Sequence, residues 1–344
     1  MEETRSKLVS VILPTHNDGK YIYDSIESIL RQSYTNIELI VIDDGSTDNT
    51  PEIVRSFQDN RIKVITNSSC LGIVDSLNKG IKIAAGDLIA RMDGDDISFP
   101  NRIEKQVQFL RENPQIDIVG TWVRMIDHEG LLLDRVWTPE PKHEQLLVNC
   151  LFGCPMCHPT VMLRTKVFDT FLYDKSFSVS EDYDLWTKVL EKYKGATIQE
   201  FLLYYRKHPE NTQTKCITLQ KKQTREIIDR ELRKYGMKLS QTELNYYIDY
   251  FFDYQIKFDL IDLIRIKKWL AKLSIANESC KKLKSDIFNK ILIQKEFFFC
   301  MRYNGNRYIS ILLYLLLPIK IKWIRYRLRK IISTTRWSSN LGGT

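Results

Sequence analysis

Over its first 92 residues the chain switches hydrophobic period repeatedly, and no other feature restricts its fold as much. Short apolar runs at 8–13, 38–42, 62–66 and 88–92 suit strands, while 21–32, 51–57 and 73–85 carry apolar residues at helical spacing. Such alternation predicts βαβ units and an α/β fold with a mostly parallel sheet flanked by helices. Ligands of such sheets bind beyond the carboxyl ends of the strands, so the loops after these strands should share one crevice. Three of those loops are rich in polar groups: Pro14-Thr15-His16-Asn17, Asp43-Asp44-Gly45-Ser46-Thr47-Asp48 and Asp93-Gly94-Asp95-Asp96. A helix at 102–112 and a strand near 116–120 follow, and 121–137 reads as a hairpin turning at His128-Glu129-Gly130.

The remainder of the chain has a different character. Residues 1–216 hold 25 Lys/Arg against 32 Asp/Glu, whereas 217–344 hold 26 against 11, so the overall charge of +8 hides an acidic first part and a basic second one. From 220 to 303 the pattern turns to Lys-, Ile- and Leu-rich helices with no proline and one glycine, Gly236. These shifts place a boundary near 216, giving an α/β domain at 1–216, a helical region at 217–308 and a basic tail at 309–344. With 344 residues and 43% hydrophobic content, the chain can bury a full core and carry a second region, which excludes disorder as its main character.

The tail opens with an apolar run at 309–318 that stops at Pro318, well short of the ~20 residues a spanning helix needs. Basic residues from Lys320 to Lys330 then interleave with Trp323, Tyr326 and aliphatic side chains, the pattern of an anchor lying in a membrane interface. A terminal helix packed on its own domain has the same pattern. The N-terminus offers no apolar export segment, and seven cysteines lack a disulfide-like framework, so the expected location is the cytoplasm, at the inner membrane face.

The Asp93-Gly94-Asp95 sequence, at the end of a buried strand, sets two carboxylates where they can share one hard cation. Mg²⁺ or Mn²⁺ held by one or two carboxylates completes its shell with water and substrate phosphates, so such a site handles a diphosphate. A calcium loop starting at Asp93 fails because Ile97, Ser98 and Pro100 occupy positions that need ligands, glycine or an unbroken turn. Cys154-Pro155-Met156-Cys157-His158 spells a haem-attachment pattern, but nothing marks the chain for export and the cysteines have no second ligand pair, so buried structural thiols are expected. No phosphate-binding Gly-x-x-x-x-Gly-Lys-Ser/Thr or dinucleotide Gly-x-Gly-x-x-Gly sequence occurs.

Taken together, residues 9–17, 41–48, Asn78-Lys79-Gly80, Gly86-Asp87 and Arg91-Met92-Asp93-Gly94-Asp95-Asp96 resemble the family 2 glycosyltransferases of the GT-A fold, with the likeness extending over about residues 7–210. The resemblance implies inverting transfer from a nucleotide-sugar donor, a UDP-sugar in the first instance, to a glycan or lipid-linked glycan in surface polysaccharide synthesis. Pro14, Thr15, Asn17 and Asn78 would line the donor pocket, Asp44 would meet the base, and Arg91 and Asp93 would contact phosphate and ribose. Asp95, with Asp93, would hold Mn²⁺ or Mg²⁺, and Asp182 would be the general base. Glu181, His158, Arg206 and His208 would contact acceptor or diphosphate.

Each role has a plainer counterpart. Asp182 opens a helical pattern, where a carboxylate is favoured for its own sake. Arg206 and His208 suit a surface loop after a strand, and Trp137 and Trp186 suit a core as well as a sugar-stacking site. Two rival functions share some of the same features. A sugar nucleotidyltransferase also uses acidic metal ligands on an α/β sheet, but it opens with a basic, glycine-rich loop that is absent after Leu13. A nucleic-acid-binding protein would use the basic C-terminal helices, yet the Leu-rich run beside them favours lipid, so no nucleic acid partner is expected. The sugar, the linkage and the oligomeric state leave no mark in the sequence.

Overall fold

A computed structural model of the chain describes residues 7–211, 216–252 and 258–301. The chain divides into two compact units, Met1–Tyr254 and Gln255–Thr344. In the first, β1 (Val9–Thr15), α1 (Ile22–Leu30), β2 (Ile37–Asp43), α2 (Thr50–Ser56), β3 (Ile62–Thr66), α3 (Ile73–Ile83) and β4 (Leu88–Arg91) follow the predicted alternation within a few residues. Strands β3, β2, β1 and β4 lie side by side and parallel.

Every residue of β1 and β2 is buried, because each strand is covered on both faces. Alternate residues of a strand point to opposite sides. Val9, Val11 and Leu13 therefore pack with Ile22, Ile26 and Ile29 of α1, while Ile12 packs with Ile40, Ile42 and Val74 and Leu77 of α3. Each fully buried Ile or Leu of this kind is worth roughly 1.5–3 kcal/mol. Gly80 sets how close α3 can come: a Cβ there would sit 2.7 Å from Ile12 Cγ2 and 2.9 Å from Ile42 Cδ1.

The second half of the sheet is mixed. It adds β5 (Ile97–Ser98), β6 (Ile118–Ile126), β7 (Leu132–Trp137), β8 (Met162–Arg164) and β9 (Gly195–Arg206), giving the order β3-β2-β1-β4-β8-β6-β9-β5 with β7 paired to β6. The expected hairpin is the β6–β7 pair, although β6 runs from Ile118 to Ile126 and so joins the strand read near 116–120 to the first arm of the hairpin. Helices α4 (Arg102–Glu112), α5 (His143–Asn149) and α6 (Glu181–Lys192) complete this layer.

Past residue 216 the chain is helical, as its composition predicts: α7 (Ile217–Arg233), α8 (Gln241–Phe252), α9 (Leu260–Cys280) and α10 (Ser285–Met301). The first two belong to the same compact unit as the sheet. Arg230 of α7 donates to Asp184 and Thr187 of α6, each at 2.6 Å, and Tyr247 of α8 donates to the Leu151 carbonyl at 2.7 Å. These contacts carry the unit past the compositional break. The second unit contains α9, opened by a capping box between Asp259 and Asp262, and α10. The tail at 309–344 lies outside the described residues, and no helix among those described is long and apolar enough to cross a membrane.

Candidate active site

The carboxyl ends of β1, β2 and β4 bring the three polar loops together. After β2, Asp44 is buried and accepts hydrogen bonds from Asn67 Nδ2 (2.7 Å) and from the backbone N–H groups of Leu71 (2.9 Å) and Gly72 (2.7 Å). Burial alone would raise its pKa, but these donors outweigh it and hold the carboxylate below its usual range. After β1, Asn17 adopts a left-handed backbone (φ 58°), and its side-chain Oδ1 accepts from the N–H groups of Thr47 (2.8 Å) and Asp48 (3.3 Å). Asn17 thus fastens the first loop to the second. Thr15 donates to Asp18 Oδ2 at 2.7 Å, and Pro14 lies within β1 in register with Ile42.

Asp93, Asp95 and Asp96 follow β4, and one oxygen from each lies within 4.8 Å of the others. Burial and mutual repulsion raise the pKa of Asp93 and push that of Asp96 far up. Asp96 Oδ2 is buried without a hydrogen-bond partner. An under-neutralised group of hard oxygens at this spacing fits a divalent cation, which would relieve the repulsion. Arg91, buried at the strand end, pairs with Asp93. Gly94 lies in a turn with Asp95 where space is tight, since a Cβ would lie 2.5 Å from Asp18 Oδ2.

Strand pairing explains how residues more than a hundred positions later arrive here. The two-residue strand β5 comes directly after the acidic loop and pairs antiparallel with β9, so Ile97 faces Tyr204. The end of β9 is thereby set beside the acids. Arg206 gives its backbone N–H to Asp96 Oδ1 and its Nε to the Asp95 carbonyl, both at 2.8 Å. His208 Nε2 lies 2.9 Å and Asn211 Nδ2 3.0 Å from Asp95 Oδ2. Tyr21 backs this corner, with its ring 5.0 Å from that of His208 and under the Arg206 guanidinium. Neither Arg206 nor His208 is a surface residue of the ordinary kind.

Asp182 stands in the first turn of α6, next to buried Glu181. Its oxygens meet the Tyr183 N–H (2.6 Å) and the Cys154 thiol (3.3 Å). Burial nonetheless raises its pKa, and its charge is felt at Asp93. For Glu181, burial and the neighbouring Asp182 raise the value to about 8. His158 is buried and held neutral by burial and by the nearby Arg91; its Nε2 lies 2.7 Å from Tyr173 Oη and its Nδ1 3.7 Å from Glu181. Asn78 is occupied elsewhere: it donates to the Tyr173 carbonyl (2.9 Å) and accepts from the Tyr173 N–H (3.1 Å). Trp186 is fully buried, a core residue.

Sequence reading passed over three members of the site. Asp18 lies between Thr15 and Gly94, and burial together with the charge of Asp95 raises its pKa to about 6. Tyr173 holds His158. Arg102, on what reads as an ordinary helix, is fully buried and donates to the Pro159 (2.6 Å) and Arg91 (3.1 Å) carbonyls, with its pKa lowered to about 10 by burial. No signal in the sequence separates it from a solvated helical arginine.

A sheet of this topology, with acidic and polar loops gathered at one end, is that of the GT-A fold. Residues 10–172 match the family described as glycosyl transferase family 2. The chain is 38% identical over 219 residues to EpsE of Bacillus subtilis (strain 168), named as a glycosyltransferase, covering 61% of this chain and 77% of that protein. It is 36% identical over 184 residues to WfgD of Escherichia coli, a UDP-Glc:alpha-D-GlcNAc-diphosphoundecaprenol beta-1,3-glucosyltransferase, covering 54% and 70%. Among solved structures it resembles TarS 1–349 of S. aureus in complex with UDP-GlcNAc (TM-score 0.55, 18% identity, 86% of this chain and 93% of that one). It also resembles the mannosyltransferase PcManGT of Pyrobaculum calidifontis with GDP-Man and Mn²⁺ (TM-score 0.51, 14% identity, 91% and 88%). The chain belongs to glycosyltransferase family 2, and it is a glycosyltransferase.

Proposed function

We propose that this enzyme transfers a sugar, with inversion, from a UDP-sugar to a lipid-linked glycan at the cytoplasmic face of a membrane, in surface polysaccharide synthesis. The observation that carries the reading is the convergence of Asp44, the Asp93–Asp95–Asp96 group and Asp182 at the carboxyl end of one sheet. The UDP-GlcNAc in the TarS complex and the lipid-linked acceptor in the name of WfgD support donor and acceptor class.

Asp44, fixed by its donors, offers a rigid acceptor to the N–H of the base, and Thr15 and Asn17 shape the pocket around it. Arg91 and Asp93 meet phosphate and ribose. Asp95, with Asp93, would hold Mn²⁺ or Mg²⁺, whose contribution is to offset charge on the departing diphosphate; the Mn²⁺ in the PcManGT complex is consistent with this. Asp182 takes the proton from the attacking hydroxyl. A carboxyl whose pKa is raised is a stronger base when ionised, which suits that task. One base and one in-line displacement invert the anomeric centre.

The reading is tested with purified protein and UDP-, GDP- and dTDP-linked sugars, following thermal shift and slow donor hydrolysis with and without Mn²⁺. Metal-dependent stabilisation by UDP-sugars is expected. Stabilisation by another nucleotide class alone would move the donor assignment, and no response to any would remove the acid group from its role.

A further inference from the structure

The second compact unit contains a helix with two apolar faces. Along α9, Leu263, Ile266, Leu270 and Leu273 are buried. A second row at helical spacing, Ile261, Ile264 and Ile275, is 59%, 46% and 64% exposed. It extends about 21 Å at 1.5 Å per residue. A helix side that faces water carries polar residues, so a row of exposed isoleucines marks a surface that something covers.

The charges around the row say what covers it. Lys268 falls within it, and Arg265 and Lys272 run along its edge. Asp262 is engaged in the cap of the helix and pairs with Arg265 at 3.6 Å, which leaves Lys268 and Lys272 to set the charge of the row. At the far end, the left-handed Lys281 opens a turn whose Lys281, Lys282 and Lys284 line, with a single acid, Glu278, a cleft of about 460 Å³. Residues 258–301 hold nine Lys/Arg against five Asp/Glu. Lysine is depleted from the centres of protein–protein interfaces, whereas at a bilayer surface its stem lies along the apolar layer and its ammonium meets anionic headgroups.

We propose that this exposed face of α9, with the lysine turn that follows, docks on an anionic lipid bilayer, with the helix lying in the interface plane. The inference is independent of the reading of the active site and of the tail at 309–344.

Sedimentation of the full chain with vesicles of phosphatidylcholine, with and without phosphatidylglycerol, tests it. Binding that requires the anionic lipid and weakens with salt is expected. The exposed positions tolerate Ile261→Ser, Ile264→Ser and Ile275→Ser, and the combined variant should bind at least tenfold more weakly with an unchanged Tm. Lys268→Ala and Lys281→Ala should each weaken binding by about fivefold. Donor hydrolysis in solution should stay at the wild-type rate in all of these, which separates this test from that of the transferase reading. Unchanged vesicle binding by the triple serine variant would overturn the proposal. So would a wild-type dimer that the serines dissociate while vesicle binding is kept, since the face would then join two copies.

Discussion

Two carboxylate groups stand at the ends of the two strands that flank β1 and are treated in opposite ways. Asp44, after β2, is buried yet fully supplied with donors, and its charge is stabilised before any ligand arrives. Half-buried Asp93 and buried Asp96, after β4, have too little positive charge around them, and their charges are resisted. The contrast separates a part of the site built to be rigid from a part built to gain a cation. Complete hydrogen bonding marks preorganisation, and deliberate deficiency marks where a ligand's charge belongs.

That difference can be broken by substitution. On the deficient side, Asp95→Asn should lower turnover by about 10⁴-fold and abolish Mn²⁺-dependent donor binding. Asp182→Asn, outside the acid group, should lower kcat by about 10³-fold while leaving donor binding intact. Calorimetric titration of UDP-sugar against both variants checks the pair, and equal loss of donor affinity in the two would end the distinction between metal ligand and base.

On the supplied side, Asp44→Asn replaces an acceptor with an amide that must face two backbone N–H groups. Donor affinity should drop strongly, and stability should fall by about 2 kcal/mol, even without metal. Denaturant unfolding of the apo protein measures this. A neutral effect would mean that Asp44 is not the rigid element of the pair.

The smallest effect concerns Asp18. Its folded pKa of about 6 lies above the ordinary value of 3.8, so the native state holds the proton more tightly. The stability linked to that proton is fully present below 3.8 and is lost as pH rises through about 6. Asp18→Asn should therefore stabilise the metal-free protein by about 1 kcal/mol at pH 8 and show no gain at pH 4. Added Mn²⁺ should erase the advantage, because a cation makes the native carboxylate charge favourable. Melting curves at the two pH values, with and without the ion, sharpen the comparison further.

How much of this was legible in the sequence follows from the range of the interactions. Strands β1 to β4 and the helices between them are local events, and apolar periodicity exposes them. The three polar loops could be placed in one crevice because parallel strands share a carboxyl end. The second half of the site depends on pairing between distant strands: Arg206 and His208 reach Asp95 across 111 and 113 positions through the two-residue β5. Nothing local in Ile97-Ser98 announces that partner. Arg102 and Tyr173 are similarly silent, since their roles come from burial that only the assembled fold creates.

The segment from 157 to 173 is held by an unusual kind of grip. Arg102 and Gln106 hold the carbonyls of Pro159 and Thr160, and Asn78 holds both backbone groups of Tyr173. All three clamps come from the nucleotide-side framework and seize main chain. Main-chain clamps act whatever side chains the stretch carries, so the path that brings His158 to Tyr173 and Glu181 is set by α3 and α4. The side chains Val161, Met162 and Leu163 lock the same stretch into the core, so donor-side framework and His158 corner are one rigid piece, and a change on either side is felt by the other.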